Sequence, residues 1–137
     1  MRALITSAAV LLSLATPAYA SCVQEDFSGR WAGYIIISAN DSAGSWVRCQ
    51  LRISRLGAIR DITCRKSDGT SSALTKGQIR LANATRCTFK GRYKLGRVEH
   101  TIEHMTLAAD KIAATGVGGT ADGADFLVWQ RHFGPGG

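Results

Sequence analysis

Trp46-Val47-Arg48-Cys49-Gln50-Leu51-Arg52-Ile53-Ser54-Arg55-Leu56-Gly57-Ala58-Ile59-Arg60-Asp61-Ile62-Thr63-Cys64 reads as two β-strands joined by a turn. Val47, Cys49, Leu51 and Ile53 alternate with Arg48, Gln50 and Arg52, so one face is apolar and the other is wet. Turn-forming residues bound each run, which predicts a hairpin of residues 46–54 and 58–64. If Leu56 and Gly57 are its two central residues, opposed positions sum to 113, and Cys49 and Cys64 meet that sum. Opposed α-carbons in an antiparallel pair sit close to the separation a disulfide accepts, so Cys49–Cys64 is the favoured bridge and Cys22–Cys87 the remaining one. The two other connectivities stay open. A bulge within 58–64 would shift the sum by one and turn the thiols to opposite faces.

The same texture extends outward. Short β-type runs recur at residues 30–38, 72–75, 78–82, 87–95, 98–107, 111–115 and 126–132, separated by Gly, Asp, Asn and Ser. In 87–95, Cys87, Phe89 and Tyr93 oppose Thr88, Lys90, Arg92 and Lys94. No long amphipathic helix interrupts the series. The expected fold is all-β: a single antiparallel up-and-down β-barrel of about eight strands, because closure removes unpaired edges, with an open sandwich as the alternative.

Residues 1–20 carry Arg2, an apolar run through Leu14, Pro17 and the small-residue exit Ala18-Tyr19-Ala20, the pattern of a secretory signal peptide cut before Ser21. The run is too short to cross a bilayer. All four cysteines follow the cut, and an even count in a small exported domain predicts disulfides. The expected location is periplasmic or secreted, with a barrel domain over 21–133 and a flexible tail at 134–137. Of seventeen Lys and Arg, only Arg2 leaves with the signal, so sixteen cations face ten acids and the exported domain carries +6. Such a charge favours anionic partners, an envelope component or an acidic protein.

Phe27-Ser28-Gly29-Arg30-Trp31, opening the first long strand, resembles the Gly-x-Trp entry of the calycin barrels, which include lipocalins and small exported bacterial inhibitors of metalloproteases. The resemblance implies that Trp31, entered through Gly29, plugs one barrel end, with a basic residue of the last strand, here Arg131, packed on it. Arg48-Cys49-Gln50-Leu51-Arg52-Ile53 is similar to the second strand of the inhibitors, and their single bridge matches Cys49–Cys64. Those inhibitors act through a free extended N-terminal segment, whereas Cys22 lies one residue beyond the expected cut.

His100-Thr101-Ile102-Glu103-His104 spells a zinc-peptidase string that works only on a helix. Val98, Thr101 and Ile102 favour a strand, where the two histidines share a face about 13 Å apart, beyond the reach of one zinc ion, with Glu99 and Glu103 on the reverse face. Asp122 to Arg131 resembles the end of a dockerin-type calcium loop, but Ala114, Gly116 and Gly118 stand where its oxygen donors belong, and a turn before the last strand is expected instead. No metal or other cofactor is expected. There is no G-x-S-x-G elbow and no phosphate-binding glycine loop, and both bridges together leave no free thiol. Asn40-Asp41-Ser42 and Asn83-Ala84-Thr85 spell glycosylation sequons and read as turns.

Arg48, Arg52 and Arg60 on the hairpin and Lys90, Arg92 and Lys94 on a later strand fall at outward positions and form the candidate ligand-binding stripe. Trp46 is the outward ring legible beside them, too few aromatics for single-stranded nucleic acid. The chain therefore reads as an exported, non-catalytic module for an anionic or amphipathic ligand. The alternatives are an inhibitor of a secreted protease and a small hydrolase built on paired carboxylates. A roomy apolar cavity would favour internal binding; an interior filled by Leu51, Ile53, Phe89 and Tyr93 would count against it.

Overall fold

A computed structural model describes residues 21–39 and 44–133. The expected signal peptide, the Asn40 sequon and the expected tail at 134–137 lie outside them. A 3-10 turn, Gln24–Phe27, precedes nine strands: β1 Gly29–Ala39, β2 Ser45–Ile53, β3 Ala58–Lys66, β4 Ser71–Ser72, β5 Leu74–Asn83, β6 Thr88–Leu95, β7 Val98–Leu107, β8 Ala113–Thr120 and β9 Gly123–Arg131. Every pairing is antiparallel. The sheet order is β2-β1-β9-β8-β7-β6-β5-β3-β4, and β2 also pairs with β3, so eight strands close into an up-and-down barrel compatible with a calycin-like fold. Both disulfides form as favoured, Cys22–Cys87 with α-carbons 5.1 Å apart and Cys49–Cys64 with 4.1 Å.

The register of the hairpin carrying Cys49 and Cys64 corrects the two-residue turn. Near the turn Ile53 opposes Ile59 and Arg52 opposes Arg60, a sum of 112. The loop closes with Ser54 N donating to Ala58 O and Gly57 N to Ser54 O. Further along, Gln50 opposes Thr63 and Cys49 opposes Cys64, a sum of 113. Between the two stretches the ladder slips where Asp61 adopts φ 49°. The loop takes one residue more, Arg55, from the β2 side, and the bulge inserts one extra residue on the β3 side, so the two shifts cancel. Both thiols therefore face inward, although β3 contains the bulge that was expected to separate them.

Three further expectations are corrected. Residues 72–75 and 78–82 are not separate strands: Cys64↔Ser72, Arg65↔Ser71, Ala58↔Gln78 and Ile59↔Gly77 share one register, so β4 and β5 follow β3 as one interrupted partner. The strand read at 111–115 runs on to Thr120 through Gly116, Gly118 and Gly119. A Cβ on Gly118 would stand 1.9 Å from Thr101 O, so this close approach of β7 and β8 requires glycine. Thr88, expected in water, is buried, because Cys87 turns with φ 50° and shifts the phase at the start of β6.

Side chains fill the interior. Leu51, Ile53, Phe89 and Tyr93 are all buried there, with Ile35, Ile79, Ile102, Met105 and Leu127 between them. At one end Phe27 stacks on Trp31 (4.9 Å, 21°) and touches Phe89 (4.7 Å) and Trp129 (6.3 Å). Trp31 Nε1 donates to Phe27 O at 3.0 Å. Cys22 N donates to Ala84 O, and the Gln24 amide bridges Ile79 O and Leu81 N, so the N-terminal segment is sewn across this end. Among the described residues no helix is long and apolar enough to cross a membrane.

Candidate functional site

A strand whose inward face is apolar offers its outward face to solvent, and on five consecutive wall strands that face is cationic. Arg30 on β1 opposes Arg52 on β2, and Arg52 opposes Arg60 on β3. Beyond Ile59↔Gly77, the next residues on β3 and β5 are Arg60 and Lys76, and Lys76 opposes Lys94 on β6. One row of cations thus crosses β1, β2, β3, β5 and β6. Arg48↔Arg65 and Arg80↔Lys90 add two more like-charged pairs, and Arg92 stands opposite Gln78. All of these side chains are exposed except Lys94, which is half-buried.

Like charges placed directly opposite destabilise a sheet. The acids nearby offset little. Glu99 lies 3.9 Å from Arg92 with both side chains well exposed, a contact worth little in water. Asp61, at the bulge, lines a cleft of about 370 Å³ with Arg30, Arg52, Gln50, Thr63 and His132. The bulge thus places one carboxylate in the lining of a cleft that also holds two arginines.

Arg48, Arg52, Arg60, Lys90, Arg92 and Lys94 therefore share one side of the barrel, split into two groups by β5. Arg30, Arg65, Lys76 and Arg80 join them and were missed. Arg30 was read only as part of the Gly29-to-Trp31 entry, and Lys76 fell in the supposed break between two short strands.

Arg131 lies at the end of β9 with its guanidinium carbon 5.0 Å over the Trp31 ring. It donates from Nη1 to Ser28 O at 2.8 Å, from Nη2 to Asp26 O and from Nε to Lys111 O at 3.0 Å. Gly29 has φ 125°, and a Cβ there would stand 3.2 Å from Arg131 Nη1. Lys111 Nζ pairs with Asp26 Oδ1 at 2.8 Å, and that hydrogen bond, foremost among its contacts, holds the Asp26 carboxyl below its usual value. These groups clasp the closed end, Arg131 on three backbone carbonyls and Lys111 on the Asp26 carboxylate.

The two histidines do not share a face. A bulge after Ile102 shifts the phase of β7, so His100 points inward and is buried while His104 is exposed and bonds Thr106 Oγ1 at 3.1 Å. Inside the barrel, Tyr93 Oη donates to Asp125 Oδ2 at 2.5 Å, and His100 Nδ1 lies 2.6 Å from the same oxygen. The carboxylate oxygen accepts from both, which puts the imidazole proton on Nδ1. The Tyr93 and His100 rings stack at 4.9 Å and 12°. Burial first, then the hydrogen bond to Asp125, raises the Tyr93 phenol well above its ordinary value of 10.0. Tyr93, His100 and Asp125 are 1%, 6% and 1% exposed, and their hydrogen bonds join β6, β7 and β9. The cluster was invisible beforehand because the β7 bulge decides which histidine enters. No family model, curated protein or solved structure matches this chain.

Proposed function

We propose that the chain is an exported binding module, without catalysis of its own, that holds an anionic partner on the cationic wall of β1, β2, β3, β5 and β6. The supporting observation is the placement of five like-charged pairs in direct register, Arg30↔Arg52, Arg52↔Arg60, Arg48↔Arg65, Lys76↔Lys94 and Arg80↔Lys90. Isolated, this arrangement works against the sheet; a polyanion or an acidic protein face relieves it. The filled interior supports an external site over an internal one. The calycin-like entry supports a lipocalin or inhibitor kinship. However, the Cys22–Cys87 bridge ties down the segment that such inhibitors leave free, which favours the wall as the contact surface.

The test is titration of the oxidised chain into fluorescently labelled inorganic polyphosphate, followed by anisotropy at several salt concentrations. The expected result is binding that weakens steeply with salt and falls at least tenfold in Arg52→Glu/Arg60→Glu. Equal affinity of variant and parent, or no salt dependence, overturns the proposal.

A further inference from the structure

Beside the cationic row, one part of the outer face of β8, β9, β1 and β2 is apolar. Val117 opposes Phe126, Phe126 opposes Ile36, and Ile36 opposes Trp46, so one unbroken row of four apolar side chains crosses four strands. In the next row Val128 opposes Tyr34, and Tyr34 opposes Arg48. The Tyr34 and Trp46 rings meet edge to face at 5.6 Å. Each of these six apolar residues is between 41% and 50% exposed, while Ile35, Val47, Leu127 and Trp129 beside them on the same strands are buried. Together they leave on the order of 500 Å² of largely apolar surface in water, at the upper end of what a single chain usually leaves uncovered.

Arg48↔Arg65 continues the second row directly onto the cationic wall. Apolar and cationic surfaces are therefore one continuous face. A second copy covers such a face poorly. Two patches would bury only about 1,000 Å², less than stable pairs require, and would bring two arginine borders together. An anionic lipid surface answers both halves: its headgroups attract the arginines, and its headgroup-acyl boundary accommodates Trp, Tyr and Phe.

We propose that this face docks on an anionic lipid surface, with Trp46, Ile36 and Phe126 entering the interface and Arg48 and Arg65 on the headgroups. The charge half rests on the reading of the wall given above; the apolar half does not.

The oxidised chain supplies its own probe, because Trp31 and Trp129 are buried and Trp46 is exposed. Its emission is recorded with phosphatidylcholine vesicles, with vesicles also containing phosphatidylglycerol, and with the same mixture carrying brominated acyl chains. The expected result is a blue shift on the anionic vesicles, quenching by bromine and little response to phosphatidylcholine alone. Ile36→Ser/Phe126→Ser should bind the anionic vesicles at least tenfold more weakly, while its polyphosphate binding stays unchanged. Trp46→Phe should abolish the shift. Binding without shift or quenching overturns the docking but leaves the charged wall standing; loss of polyphosphate binding overturns the wall itself. A concentration-dependent dimer in sedimentation, abolished by Phe126→Ser, assigns the patch to a second copy and also overturns the proposal.

Discussion

The fate of single polar groups decides how tightly the barrel interior is specified. Asp125 Oδ2 takes hydrogen bonds from two buried partners, so Asp125→Ala leaves the Tyr93 hydroxyl and the His100 ring N–H without an acceptor. The expected loss in urea unfolding is about 3 kcal/mol. Tyr93→Phe removes one donor and should cost about 1 kcal/mol near neutral pH. The two chains should then converge in alkali. With its folded value raised, Tyr93 keeps its proton in the barrel while the unfolded chain releases it, so the stability this group contributes is present below pH 10 and is lost as pH rises beyond it. Urea midpoints of both proteins from pH 8 to 11 check the sign. None of this is legible in the sequence, because Asp125 reads as a turn acid and His100 as half of a pair sharing one strand face with His104. By contrast Leu51, Ile53, Phe89 and Tyr93 were recognisable as interior from their alternation with arginine and lysine.

Among the elements, β2 was legible because its outward residues are polar at nearly every step. β1 and β9 were not. Tyr34-Ile35-Ile36-Ile37 and Phe126-Leu127-Val128-Trp129 are apolar on both faces, so no period reveals which side is buried. Only pairing with β2 and β8 shows that Tyr34, Ile36, Phe126 and Val128 face out, and this is why Trp46 stood alone in the sequence reading. β8 was cut short for a related reason, since glycines resemble a turn until the neighbouring backbone is known to crowd them. Gly118→Ala should force β7 and β8 apart at Thr101 and lower stability by about 2 kcal/mol. Faster amide exchange confined to the Thr101–Gly119 and Ile102–Gly118 pairs would locate the damage. The bulge at Asp61 is the converse case. The disulfide was placed correctly by arithmetic that was wrong in both of its parts, because a shifted turn and an inserted residue compensate.

For the whole molecule, closure and cross-linking do related work. The Cys22–Cys87 bridge spans 65 residues and Cys49–Cys64 spans 15, and on a chain-entropy model they restrict the unfolded state by about 4 and 3 kcal/mol. The shell is closed and its interior is occupied by side chains, and the proposed contact surface is the outer wall. That wall is divided by sign and polarity: cations from β1 through β6, apolar side chains from β8 to β2, and Arg48 where the two meet. The most direct measurement is residue-resolved NMR of the oxidised chain titrated with inorganic polyphosphate. The account predicts shifts gathered on Arg30, Arg52, Arg60, Lys76 and Lys94, with Tyr93, His100 and Asp125 unmoved; shifts centred on the barrel interior, or spread evenly over the surface, would contradict it.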